Sequence, residues 1–303
     1  MRNTASRRNF LRATAGVASA SLLGSSSALV RGAITRPGSG MRFGLVTYLW
    51  GQDWDLPTLI RNCAKSRVLG VELRTTHAHK VEPSLNPAQR KEVKKQFDDS
   101  PVPMVGIGSN ERYDNPNPAV VAKAVEATKA FIKLSHDVGG TGVKVKPDRF
   151  HKGVEQEKTI EQIGKALNQL GEYADGWGQE IRLEVHGQCS QLPTIRKIMD
   201  VAQNKNVGVC WNSNGQDLQG KGLVHNFDLV KKRFGATAHV RELEDKNYPY
   251  EKLMELFVRM DYSGWVMLEA RGKPKDRVAA LAQQVKLFNS MVAKGQKAIG
   301  KKG

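Results

Sequence analysis

The sequence predicts an α/β protein with one closed (β/α)8 TIM barrel, and three observations carry that expectation. Short runs rich in β-branched or aromatic residues alternate strictly with longer segments of helical period from Met41 onward. Eight such rounds fit in a chain of 303 residues, which favours a closed barrel over an open, doubly wound sheet. The first strand is also followed by Gly51-Gln52-Asp53 and not by GxGxxG, so a dinucleotide site there has no support.

The strands are expected at 43–49, 70–75, 104–108, 142–146, 181–186, 207–212, 237–243 and 265–270. Helix starts stand between them. Asp55 before Pro57, Asn86 before Pro87 and Asn117 before Pro118 each put a side-chain acceptor where the orphan amides of a first turn need one. Gly139, Gly235 and Gly264 fall between helices and following strands, where glycine suits a left-handed helix end.

Residues 1–40 read as a leader, 41–295 as the barrel and 296–303 as a basic tail. The leader carries six arginines and no acid; Arg7-Arg8, then Phe10-Leu11, then the weakly apolar run 13–30, resemble a twin-arginine export signal. That run is too short and too rich in Gly and Ser for a good spanning helix, so the expectation is export to the periplasm without stable membrane insertion afterwards. Without the leader the net charge falls from +17 to about +11, much of it in alternating runs or at the end of the chain. Such charge aids solubility and attracts anions; it does not specify nucleic acid. Cys63, Cys189 and Cys210 form no CxxC, which argues against a disulfide scaffold, although one bridge is possible in an oxidising compartment.

Residues two apart on a strand share a face, so each strand can be asked what it sends into the barrel mouth. Strand two offers Glu72 and Arg74, strand four Lys144 and Lys146, strand five Glu184 and His186, strand six Asn212, strand seven His239 and Arg241, and strand eight Glu269 and Arg271. Ionised groups in apolar strands are costly unless paired or hydrated, so each could be a salt-bridged filling layer or part of a polar site. The recurring parity favours the site. Trp50, Trp54 and Trp211 follow strand ends where they could stack on a sugar or pack in the core. His77 and His79 could hold a metal together but show no third ligand.

The segments 182–187, 208–212 and 262–271 resemble the xylose-isomerase-like barrels, and the resemblance covers essentially the whole chain after the leader. It implies a divalent cation held from strands five to eight, with Glu184 and Glu269 at the first and last ligand positions. Two positions depart from the family pattern. Asn212 stands where aspartate is usual, and strand seven reads His239-Val240-Arg241 where many relatives have His-x-His. On that reading His239 lies roughly 6–7 Å deeper than the usual histidine and Arg241 takes the ligand's place, a fixed positive charge that could substitute for metal. The candidate metal ligands are therefore Glu184, Asn212, His239 and Glu269, with weakly held Mn²⁺ or Mg²⁺ expected.

The resemblance implies proton transfer beside a sugar carbonyl by Glu184 and Glu269, with Glu72, Arg74, Lys144, Lys146, His186, Arg241 and Arg271 contacting substrate. The expected function is a sugar or cyclitol isomerase or epimerase acting on a small carbohydrate. The alternatives are a lyase or hydratase acting on an oxidised sugar, and a carbohydrate-binding barrel whose metal site has decayed. DNA cleavage, found in a relative of the same fold, needs a richer set of metal-binding His and Asp than this sequence has, and no specific nucleic-acid partner is expected.

Overall fold

A computed structural model describes residues 36–300, so the expected leader lies outside the described residues. Eight strands, β1 (Arg42–Val46), β2 (Gly70–Arg74), β3 (Met104–Arg112), β4 (Gly142–Lys146), β5 (Glu180–Glu184), β6 (Val207–Asn212), β7 (Phe234–Val240) and β8 (Trp265–Leu268), pair in parallel and in sequence order. The sheet closes between β1 and β8, with Phe43 opposite Val266 and Leu45 opposite Leu268. The helices α1 (Leu56–Ser66), α2 (Pro87–Asp98), α3 (Pro118–Asp137), α4 (Gln156–Asp175), α5 (Leu192–Val201), α6 (Gly222–Val230), α7 (Tyr250–Arg259) and α8 (Arg277–Gly300) alternate with the strands. α8 runs past residue 296, where the sequence suggested a tail.

The anticipated caps are in place. Asp55 accepts from the Thr58 amide at 2.9 Å, Asn117 accepts from the Ala119 amide at 3.0 Å, and Asn86 and Gln89 exchange hydrogen bonds in a capping box. Gly139 does end α3 in the left-handed conformation, at φ +87°. Gly235 and Gly264 do not. Gly235 lies inside β7, where a side chain would meet the Glu180 carboxylate, and Gly264 leaves room for the Tyr262 ring.

Outward-facing strand residues such as Leu45, Leu73, Val143, Val145, Leu183 and Val209 are fully buried beneath the helices. Each contributes about 1.5–3 kcal/mol by leaving water. Inside the barrel, Val46, Val105, Trp265 and Met267 form a small dry cluster. The rest of the interior is polar. β4 shows the division most plainly: Val143 and Val145 face the helices while Lys144 and Lys146 face inward, and all of β4 is buried. Gly106 and Gly108 on β3 leave space for long neighbours, since a side chain at Gly106 would strike Arg182 and one at Gly108 would crowd Arg74 and Glu72.

All three cysteines are buried and free. Among the described residues no helix is long and apolar enough to cross a membrane.

Candidate active site

At the carboxyl ends of the strands lies a cavity of about 390 Å³, reached by Tyr48, Arg74, Lys146, Glu184, Glu269 and Arg271. Its floor is a buried polar network. Lys144 places its Nζ 2.9 Å from Glu184 Oε2, and both side chains are 1% exposed, so this ion pair is almost wholly buried, with Glu184 at the cavity floor and Lys144 beneath it. The Asn212 amide donates to Glu184 Oε1 at 2.8 Å, leaving Asn212 Oδ1 buried without a partner. His239 sits between two acids, with Nε2 3.2 Å from Glu72 Oε1 and Nδ1 3.6 Å from Glu184 Oε1.

Burial alone would raise the Glu184 carboxyl, but the Lys144 ammonium and the His239 ring hold it well below the ordinary carboxylate range. Burial likewise raises Glu72 less than His239, Lys144 and Arg182 lower it. For His239, burial opposes a charge, yet Cys210, Glu72 and Glu184 around the ring keep it protonated well above the usual histidine range. Replacing one partner in such a sealed network with an apolar residue strands the other charge, at a cost of about 3–5 kcal/mol.

Glu184, His239 and Glu269 each offer an atom to one point, these atoms lying within 4.8 Å of one another. A divalent cation fits this donor set. Glu72 holds His239 through Nε2, which leaves Nδ1 toward the carboxylates, and the unpartnered Asn212 Oδ1 is a further oxygen at the same level. Metal would have to displace the His239 proton and compete with Lys144 for Glu184.

His239, one of the candidate ligands, pairs in register with Asn212 and reaches Glu184, whereas Arg241 does not take a ligand's place. Arg241 lies beyond the last residue of β7 and turns away onto the loop after β6, donating to the Ser213 carbonyl at 3.2 Å and to Asn214 Oδ1 at 3.3 Å. The cation set against Glu184 is Lys144.

The other anticipated residues divide between floor and rim. Glu72 and Lys144 are sealed in the floor, while Arg74, Lys146, His186 and Arg271 reach the cavity. Trp50, Trp54 and Trp211 are core side chains, and the aromatic residue at the cavity is Tyr48, with the Arg74 guanidinium 4.9 Å from its ring centre. His77 and His79 are no metal pair. His79 donates through Nε2 to the Arg74 carbonyl at 2.8 Å and accepts the Val81 amide on Nδ1 at 3.0 Å, so neither nitrogen is available.

Two residues not anticipated from sequence shape the rim. Asp148, at φ +64° after β4, accepts from His186 Nδ1 at 3.0 Å and from Arg112 at 2.6 Å. It thereby fixes the His186 tautomer with Nε2 free, and burial pulls the ring below its ordinary pKa. Asn110 accepts from both Arg74 and Lys146, at 3.2 and 3.3 Å. The inward parity of Tyr48 two residues after Val46, and of Asn110 two after Gly108, was the available signal for the cavity aromatic and for the rim amide.

The family described as Xylose isomerase-like TIM barrel matches residues 60–291. No curated protein matches the chain in sequence. Among solved structures, the chain is similar to 3-keto-D-glucoside 4-epimerase YcjR from E. coli, at 14% identity and TM-score 0.69, over 82% of this chain and 99% of that one. It is similar to an L-ribulose 3-epimerase at 15% identity and TM-score 0.73, over 86% and 97%. It also resembles the IOLI protein, solved with a zinc atom, at 14% identity and TM-score 0.71, over 84% and 99%.

Proposed function

The chain belongs to the xylose isomerase-like TIM barrel family, and on that premise we propose that it is an exported sugar or cyclitol isomerase or epimerase. The observation that carries the reading is the pair Glu184 and Glu269 in one cavity, with an ionised acid fixed by Lys144 and a second acid near Arg74. Arg74 NH1 lies 3.9 Å from Glu269 Oε1. One carboxylate takes the proton from a carbon beside the substrate carbonyl and the other returns one, for which two acids on facing strands suffice. Lys146 and Arg74 line the same cavity and are placed to hold oxygens on which negative charge develops, while the unprotonated His186 Nε2 can accept from a substrate hydroxyl. A bound Mn²⁺ or Mg²⁺, held by Glu184, His239, Glu269 and Asn212, would supply Lewis-acid polarisation of those oxygens.

Solved structures similar to this chain include a 3-keto-D-glucoside 4-epimerase, an L-ribulose 3-epimerase and a D-allulose 3-epimerase in complex with D-allulose, so the test is incubation of the protein in D2O with D-allulose, L-ribulose and a 3-keto-D-glucoside. Deuterium is expected at a carbon beside the carbonyl of one of them; intact C–H bonds in all three, with and without Mn²⁺, contradict the reading. Export rests on Arg7-Arg8 ahead of the apolar run. Changing both arginines to lysine is expected to retain the full-length precursor in the cytoplasm, as read by cell fractionation, and undiminished export would remove that part of the proposal.

A further inference from the structure

We propose that the barrel mouth carries an anion subsite, built from Arg74, Lys146 and Arg271, that selects a sugar bearing a carboxylate or a phosphate. The inference deepens the sugar-isomerase reading and rests on it. Three cationic side chains line the cavity against two carboxylates, Glu184 and Glu269. Glu184 is already answered from below by Lys144 at 2.9 Å. Glu269 meets only Arg74, at 3.9 Å, among the described residues. The balance leaves positive charge without a partner.

Lys146 shows the missing partner most plainly. It is 7% exposed and lies on the cavity wall, yet among the described residues no carboxylate lies within ion-pair distance of it. Its one hydrogen-bond acceptor is the neutral Asn110 Oδ1, at 3.3 Å, which it shares with Arg74 at 3.2 Å. The Arg74 Nε is buried with no acceptor at all. A buried ammonium and a guanidinium converging on one amide oxygen are poorly compensated, and an anion between them would supply the missing acceptors. Burial and the neighbouring Lys144 pull Lys146 down to about 8, against the opposing pull of the Glu184 carboxylate. Arg271, across the opening, is exposed and forms no ion pair among the described residues. Elsewhere on the rim Arg112 and Arg149 share the carboxylate of Asp148, at 2.6 and 3.6 Å. The neutral donors and acceptors beside them, His186, Asn214 and Gln216, suit hydroxyl groups on the remainder of the ligand.

The test is calorimetric titration of the full chain with inorganic phosphate, D-glucose, D-glucuronate and D-glucose 6-phosphate, repeated on Lys146→Gln and Arg271→Gln. Arg271 is exposed, so its replacement keeps the experiment informative if Lys146→Gln fails to fold. Expected are binding of at least one anion and a preference of tenfold or more for one acidic sugar over glucose, reduced severalfold in each folded variant. A preference for glucuronate identifies a carboxylate as the group recognised, and one for glucose 6-phosphate with phosphate binding identifies a phosphate. No binding of any anion at millimolar concentration, glucose binding as tight as both acidic forms, or an undiminished preference in the variants overturns the subsite. Deuterium exchange at carbon is read separately. Anion binding lost in the variants, in a protein that exchanges no C–H proton of any sugar, keeps the subsite and removes the isomerase reading.

Discussion

At the scale of single residues, the site is governed by which charges are sealed and which are left open. Asn212 is the decisive substitution: it gives Glu184 a hydrogen-bond donor where a third carboxylate would give it a repelling neighbour. An apo site with aspartate there would be less stable and hungrier for cations. Asn212→Asp is therefore expected to tighten Mn²⁺ by severalfold, read by calorimetry on protein stripped with chelator, while lowering the unfolding temperature of the metal-free form. Equal Mn²⁺ affinity in the two proteins would show that the cation does not sit among Glu184, His239 and Glu269. Parity along the strands made Glu72, Lys144, Glu184, Asn212 and His239 legible in the sequence, because a strand's alternation is fixed by its pleat. It failed for Arg241, which lies beyond Val240 at the end of β7, where the chain is free to turn. Asp148 was not legible for the same reason: its role depends on a left-handed turn after β4 that brings it to His186 from another loop.

At the scale of elements, the segment from β6 to α6 links the mouth to the barrel wall. Asn214 and Asp217 close a capping box on each other there, and the Tyr248 hydroxyl donates to Asp217 Oδ2 at 2.7 Å. Burial outweighs these hydrogen bonds and pushes the Asp217 carboxyl from an ordinary value near 3.8 up to about 7. A carboxyl raised in the folded state gives stability that is whole below about pH 4 and is lost as pH climbs through about 7. Wild-type protein is thus expected to lose up to about 3 kcal/mol from this group between pH 5 and pH 8, and Asp217→Asn to lose correspondingly less. Urea unfolding of both proteins at the two pH values measures the difference, and parallel losses would mean that Asp217 is ionised throughout. Helix starts were readable because Asp55, Asn86 and Asn117 act on amides two or three residues away. The end of β3 was not, since the pairing of Arg112 with Lys146 depends on a strand far along the chain. That misplaced boundary concealed Asn110.

At the scale of the whole molecule, closure of the barrel turns an alternating sequence into a dry outer layer and an inner column of charges. In an open antiparallel sheet with one solvated face, Lys144 and Lys146 would face water; here closure turns that face inward, where Lys144 meets Glu184 of the neighbouring β5, His239 meets Glu72 across the interior, and Lys146 is left at the cavity. The eightfold alternation carried the architecture, whereas the pairing of charges across the interior required knowing which strands stand opposite. Within that interior Glu184 and Glu269 are the two acids that reach the cavity, and the proposed function assigns them proton transfer to and from a substrate carbon. Its most direct test is deuterium incorporation from D2O into the sugar that the wild type exchanges, repeated with Glu184→Gln and Glu269→Gln whose folding has been checked by circular dichroism. Each folded variant is expected to exchange about 10²-fold or more slowly, as for a lost general acid or base. Exchange at the wild-type rate in both would remove Glu184 and Glu269 from the proton transfer.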